Sequence, residues 1–301
     1  MMGDYGFPYM GSKDKIVSSI AANFPKADNF YDLFGGGASM THYIAKNKNH
    51  IYKRVVYNDI IAGNGKLLKD AIAGKYNYKV FKPKWISRDE FNNLKNIDPY
   101  VAICWSFGNN QKDYLFGPDI EKYKRSIHNA VVFGDIDEKA KSILGFDSWP
   151  NKFTDIKKRR LYFGQRIKYL NKNLSPSSLE HLQRLERLQQ LQQLQKPIEI
   201  LSGSYDEVEI MDNSVIYCDI PYKATAKYRT EFNHDMFFDW AANIEHPVYI
   251  SEYNITDDRF QLVYELDKRS QLNKDKSKTV IKSEKLYWNR KGVSHASRKA
   301  N

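Results

Sequence analysis

Cysteine is scarce in this chain. Cys104 and Cys218 are the only two in 301 residues, too few for a disulfide framework or for a cysteine-rich zinc site. No apolar run approaches the roughly 20 residues that span a bilayer. The opening stretch, Met1 to Lys15, also lacks the apolar core of a secretory signal. The expectation is a soluble protein of the cell interior with no membrane partner. Two nucleotide signatures are missing as well: there is no GxGxxG turn and no phosphate loop ending in Gly-Lys-Ser/Thr. What is present is enough apolar residue to build a core, 42% hydrophobic with 14% aromatic. A formal charge of +11 favours a polyanionic partner.

The pattern along the chain is α/β at both ends. Lys13 to Phe24 carries Ile16, Ile20 and Phe24 on one helical face. Asn29 to Phe34 reads as a short buried strand, closed by Gly35, Gly36 and Gly37. A helix over Ala38 to Lys46 and a strand over Arg54 to Asn58 complete a βαβ unit. After Pro197 the same character returns, with strands expected at Ser214 to Cys218 and Pro247 to Ser251. Phe260 to Leu266 and Glu284 to Trp288 flank a basic loop and predict a terminal antiparallel hairpin. From Gly292 the chain reads as a polar tail.

Between these ends the character changes. Residues 75–195 interleave lysine, arginine and aromatics without strand–helix alternation, as an inserted second domain would. Near its end Leu179, Leu182, Leu185, Leu188, Leu191 and Leu194 fall at every third position. A leucine every three residues drifts by about 60° per step around a helix. That is a poor zipper, and a helix buried on several sides, or a spacer grown from a short repeat, fits better.

Three clusters carry chemistry, each at the carboxyl end of an expected strand, where open α/β sheets bind ligands. The first is Asp32-Leu33-Phe34-Gly35-Gly36-Gly37. Its glycines permit a close approach of ligand to backbone, with an ordinary tight turn as the alternative. A ligand without a pyrophosphate suits it better than NAD or ATP. The second is Asp59, placed to accept hydrogen bonds from ribose hydroxyls or else to cap the next helix. The third is Cys218-Asp219-Ile220-Pro221-Tyr222. Here Asp219 and a backbone carbonyl can accept the two hydrogens of a planar amine while Tyr222 stacks on its ring. A strand-ending turn is the plain alternative.

These residues, in this order, resemble the Dam-like DNA adenine-N6 methyltransferases. Tyr9-Met10-Gly11-Ser12-Lys13 is similar to the family's aromatic-x-Gly-x-Lys motif, and Asp32 to Gly37 to its cofactor loop. Asn58-Asp59 is similar to its ribose-binding acid, Ser204-Tyr205 to the motif before the catalytic strand, and Asp219 to Tyr222 to the catalytic Asp-Pro-Pro-Tyr. The resemblance spans roughly residues 8 to 290. It implies a Rossmann-like methyltransferase sheet built from residues 1–74 and 196–290, with residues 75–195 as a mainly helical target-recognition domain. It implies S-adenosyl-L-methionine as cofactor, double-stranded DNA as partner, and methyl transfer to the N6 amine of a flipped-out adenine. Tyr9, Lys13, Asp32, Phe34, Gly35, Gly37, Asp59, Ser204, Tyr205 and Asp219 would line the cofactor. Asp219, Ile220, Pro221 and Tyr222 would form the catalytic motif. Lys13 has a second reading, as the start of the first helix.

Ile220 stands where the family carries its first proline. The carbonyl survives this change and the locked φ does not. That departure keeps open a DNA-binding protein of the same fold with weakened or lost catalysis. Separately, the same amine geometry would serve a cytosine-N4 enzyme, though the resemblance favours adenine with an aspartate at 219. DNA contacts are expected from Lys157, Lys158, Arg159 and Arg160 and from Lys268, Arg269, Lys274, Lys276 and Lys278 in the hairpin loop. Asn109, Asn110, Gln111 and Lys112 are the side chains suited to reading base edges. A monomer in the cytoplasm of a bacterial or phage-infected cell is expected. The sequence leaves open whether a restriction endonuclease accompanies it.

Overall fold

Phe30 and Tyr31 are neighbours in sequence and belong to different cores. That alternation organises the sheet in a computed structural model of the protein, which describes residues 5–170, 179–194, 196–223, 232–269 and 281–293. Seven strands lie in the order β3-β2-β1-β4-β5-β7-β6. They are β1 (Asn29–Asp32), β2 (Arg54–Asn58), β3 (Glu199–Leu201), β4 (Ser214–Asp219), β5 (Val248–Glu252), β6 (Gln261–Arg269) and β7 (Ile281–Trp288). The first five in spatial order are parallel, and β7 runs antiparallel to both of its neighbours.

Because helices cover both faces, the central strands read as continuous apolar runs rather than as alternating ones. On one side Phe30, Val55, Val215 and Leu286 meet α1 (Val17–Ala21) and α2 (Ser39–Asn47) through Ile20, Met40 and Ile44. On the other, Tyr31, Val56, Ile216, Cys218 and Ile250 meet Phe237, Phe238 and Ala241. These three come from the helix His234–Asn243, the last among the described residues.

The chain divides into two compact units. The first comprises Met1–Gly6, Lys13–Gly65 and Leu194–Asn301 and contains the sheet. The second comprises Phe7–Ser12 and Lys66–Gln193. Helix α3 (Ala62–Ile72) carries the chain from one into the other. The second unit is helical: α4 (Arg88–Leu94), α5 (Pro99–Cys104), α6 (Pro118–Val132), α7 (Glu138–Leu144), α8 (Ile156–Leu170) and α9 (Glu180–Gln190), which leaves His234–Asn243 as α10.

The three-residue leucine period has a plain outcome. Leu182, Leu185, Leu188 and Leu191 are all fully buried, as are His181 just before them and Arg184 between them. Helix α9 is thus enclosed around much of its circumference and ends in a 3-10 turn, Leu191–Gln193.

Two elements are shorter than their sequence patterns predict. Only Val17–Ala21 of the stretch from Lys13 to Phe24 is α-helical, and Ile16 at its head supplies no side-chain cap. Strand β1 ends at Asp32, because Leu33 and Phe34 already turn toward the glycines. The hairpin β6–β7 is present and longer than expected, with a register shift between Leu262 and Tyr264. Among the described residues no helix is long and apolar enough to cross a membrane.

Candidate active site

Strand order reverses between β1 and β4. Chains leaving the sheet on either side of such a point diverge and open a crevice at the carboxyl ends. In register, Asp32 on β1 faces Tyr217 on β4, two residues before Asp219. The first and third sequence clusters therefore emerge side by side.

The glycine turn is held from several directions. Gly36 N–H donates to Asp59 Oδ2 at 2.8 Å, Gly35 N–H to Asn58 O at 2.8 Å, and the Tyr57 hydroxyl to Gly36 O at 2.9 Å. Gly36 (φ 45°) and the non-glycine Ala38 (φ 58°) take the left-handed conformation. Gly35 is needed for a different reason. A Cβ there would lie 2.2 Å from Tyr57 Cε2. Gly37 is approached by Gly6, whose added Cβ would fall 2.2 Å from Gly37 O.

Asp59 takes the expected place at the head of the next helix and also holds the glycine turn. Oδ2 takes the loop amide, while Oδ1 accepts Ile61 N–H (2.8 Å) and Asn64 Nδ2 (3.1 Å) at the start of α3. Burial raises its pKa against these hydrogen bonds. Asp32 is buried beneath the turn and accepts from Thr41. Burial pushes its carboxyl up to about 7, with Asp219 and Asp59 adding to the rise and the Thr41 bonds opposing it.

Phe34 stacks on Tyr205 with centroids 5.5 Å apart, and Phe237 meets both edge-on. Tyr205 belongs to the short turn Tyr205–Glu207 after β3. Ser204 is committed to that turn, its hydroxyl donating to Asp206 and its N–H to Glu207 Oε2.

At the end of β4, Asp219 Oδ1 pairs with Lys13 Nζ at 2.8 Å. Lys13 is thus drawn to the carboxylate rather than opening a helix. Its Nζ also lies 3.4 Å from Glu284 Oε1 and 4.7 Å from the centre of the Tyr222 ring. Burial alone would lower the ammonium's pKa, and the two carboxylates more than reverse that. Burial pushes Asp219 up, opposed by Lys13. The Tyr222 hydroxyl donates to Glu284, and Tyr253 meets the ring edge-on at 4.5 Å. Stacking of a base on Tyr222, expected from sequence, is therefore not open in this state: the ring is 7% exposed. Ile220 packs into the core, and Pro221 O bonds to His234 Nε2 at 2.7 Å. Glu252, at the end of β5, is buried and accepts the N–H groups of Lys223 and Tyr253.

Sequence reasoning missed Glu284 and Glu252. The signal for the first was available: on β7 an acid shares a strand face with Leu286, which is buried in the core.

The profile of the D12 class N6 adenine-specific DNA methyltransferase family matches residues 9–287. The chain belongs to this family. As a D12 class enzyme it methylates adenine N6 in DNA, and S-adenosylmethionine-dependent catalysis is general to such methyltransferases. No curated protein sequence matches it. Among solved structures it is similar to the rRNA methyltransferase aviRa from Streptomyces viridochromogenes. That match has a TM-score of 0.35 and 10% identity, and covers 94% of this chain and 87% of that one.

The other expected site residues of this methyltransferase are spread wider. Tyr9, in the helical unit, is half-buried, its carbonyl accepting Ser12 N–H and its ring edge-on to Phe7. The loop after α5 is a tight bend, with Gly108, Asn109 and Gln111 at positive φ. Asn110 braces that bend, accepting Lys112 and Asp113 N–H and donating to Asp113, so its side chain is not turned outward to a base. Lys112 is exposed and Gln111 half-buried, while Asn109 Oδ1 is buried without a partner.

The basic run on α8 splits in two. Lys157 and Lys158 are exposed. Arg160 was expected to contact phosphate and instead forms two 2.6 Å bonds with Glu186 of α9. Arg159 turns back to Phe153 O and the Trp149 ring. The cause is helical spacing: four consecutive residues cannot share one face. In the hairpin, Lys268 and Arg269 lie on β6. Lys274, Lys276 and Lys278 lie outside the described residues.

Proposed function

We propose that Asp219 holds the N6 amine of an adenine extruded from duplex DNA beside a cofactor seated on the glycine turn. The observation that carries this reading is the emergence of Asp219 next to the turn at the point where strand order reverses. The donor set fits the cofactor. Asp32, Asp59 and Asp219 end three adjacent strands, and such acids suit a cationic ligand that also carries ribose hydroxyls. When bound, S-adenosylmethionine supplies an electrophilic methyl group on a sulfonium.

The protein's own task is to prepare the amine, a poor nucleophile because its lone pair is delocalised into the ring. A hydrogen bond from the amine to Asp219, and one to the Ile220 carbonyl, favour a more tetrahedral nitrogen aimed along one line. The amine so held would accept the methyl group from the bound donor, whose sulfur would keep the C–S pair. The nitrogen is left positive with one proton too many. Asp219 is the base at hand, and burial strengthens it in that role. The proton passes from Asp219 to water. A base stacked on Tyr222, once that ring is uncovered, offsets part of the unstacking cost.

Residues 75–195, with the bend after α5 and the exposed Lys157 and Lys158, are the proposed target-recognition surface. The enzyme is proposed to act as a monomer on one strand at a time, in the cytoplasm of a bacterial or phage-infected cell. The test is Asp219→Ala, scored for methyl transfer to DNA and for cofactor binding by calorimetry. Transfer should vanish while cofactor affinity stays within about tenfold, a change of about 1.4 kcal/mol. Full activity in that variant would overturn the assignment.

A further inference from the structure

A carboxylate that must grip an amine has an ammonium placed against it, and this arrangement needs a reason. An Asp219–Lys13 pair alone would be neutral, and its field at a neighbouring cation would be that of a small dipole. Glu284 alters that balance. Its Oε1 lies 3.4 Å from Lys13 Nζ and also accepts the Tyr222 hydroxyl. Among the described residues this group holds two carboxylates to one ammonium. Lys13 and Glu284 are 7% and 4% exposed, so solvent screens the group weakly. The acid comes from β7 and the aspartate from β4, two strands away across β5.

We propose that Glu284 is a positioning residue that sets the charge of the site. Lys13 at 2.8 Å holds Asp219 ionised, and Glu284 offsets the ammonium's charge, so the three side chains together keep a net negative charge for the positive charge that builds on the amine nitrogen. The inference rests on the reading of Asp219 given above. In methyl transfer a unit of positive charge moves from sulfur to nitrogen, so a site holding one net negative charge at the nitrogen end favours the transition state over the ground state. A neutral site does not. A structural ion pair would serve the fold equally well, but it makes a different prediction when both of its charges are removed together.

The experiment compares E284Q, K13M, the double variant K13M/E284Q and D219N with the parent enzyme. Counted over Asp219, Lys13 and Glu284 alone, the formal charge is −1 in the parent, 0 in E284Q, −2 in K13M and −1 again in the double variant. E284Q should lose about 10–100-fold in kcat with KM for DNA within about threefold, and the double variant should regain at least fivefold over E284Q. A second readout needs no turnover: the affinity ratio of S-adenosylmethionine to its neutral thioether product, by calorimetry, should fall in E284Q and recover in the double variant. Rates are taken per folded molecule, with melting curves recorded for each protein. If E284Q does not fold, E284L takes its place, alone and with K13M, under the same thresholds. Recovery below fivefold, or an E284Q enzyme within fivefold of the parent, overturns the inference. D219N separates the two levels. If it keeps full activity, the reading of Asp219 fails. If it is inactive while the double variant shows no recovery, only the role of Glu284 fails.

Discussion

Asp32 receives two hydrogen bonds from Thr41 on the same oxygen, one from the backbone N–H at 3.1 Å and one from the hydroxyl at 2.7 Å. The strand carboxyl thereby ties β1 to the first turn of α2, directly beneath the glycine turn.

That tie has a pH signature. Burial raises the folded-state pKa of Asp32 to about 7 from 3.8, so between those values the folded chain keeps a proton that the unfolded chain has lost. Stability from this group is therefore full below about pH 4, falls as pH rises, and levels off above about 7, with a slope of at most about 1.4 kcal/mol per pH unit. Asp32→Asn keeps an acceptor for Thr41 and removes the titration. Urea unfolding at pH 5 and pH 8 should show the variant gaining stability relative to the parent at the higher pH. An identical pH dependence in both proteins would refute the shift.

Gly35→Ala tests the close approach in the cofactor turn. The new Cβ would meet the buried Tyr57 ring, whose hydroxyl is already committed to Gly36 O. The expected cost is about 1–3 kcal/mol of stability, together with a fall of at least about tenfold in cofactor affinity, about 1.4 kcal/mol. Melting curves and calorimetry read the two effects, and an unchanged affinity counts against the turn as cofactor seat.

Leu185→Ala tests the leucine stripe. Leu185 is fully buried on α9, so its truncation should destabilise the protein by about 2–5 kcal/mol. A spacer helix in solvent would lose only a few tenths. Denaturant midpoints decide between them.

The basic run on α8 should divide by function. Lys157→Ala with Lys158→Ala should flatten the salt dependence of DNA binding, since each lost phosphate contact lowers the slope of log K against log salt by about 0.9. Arg160→Ala should leave that slope alone and lower the melting temperature, because it strands Glu186 in a half-dry site only 14% exposed. The reverse pattern would place Arg160, not the lysines, on the DNA.

Local pattern determined much of this protein. Strands β1, β2, β4 and β5 were legible because each is a short apolar run stopped by a turn residue, and the terminal hairpin because its strands flank a polar, basic loop. The site was legible where it follows a strand end: Asp32, Asp59 and Asp219 are all written into the chain beside their strands. Tertiary structure decided what is non-local. The order of strands in the sheet, and so the adjacency of β1 and β4, depends on how the crossovers pack and not on any one segment. Arg160 was claimed by Glu186, a residue 26 positions away, and Asn110 by its own bend. Lys13 and Glu284 meet from opposite ends of the sequence, since burying a charge is tolerable only where folding delivers an opposite one.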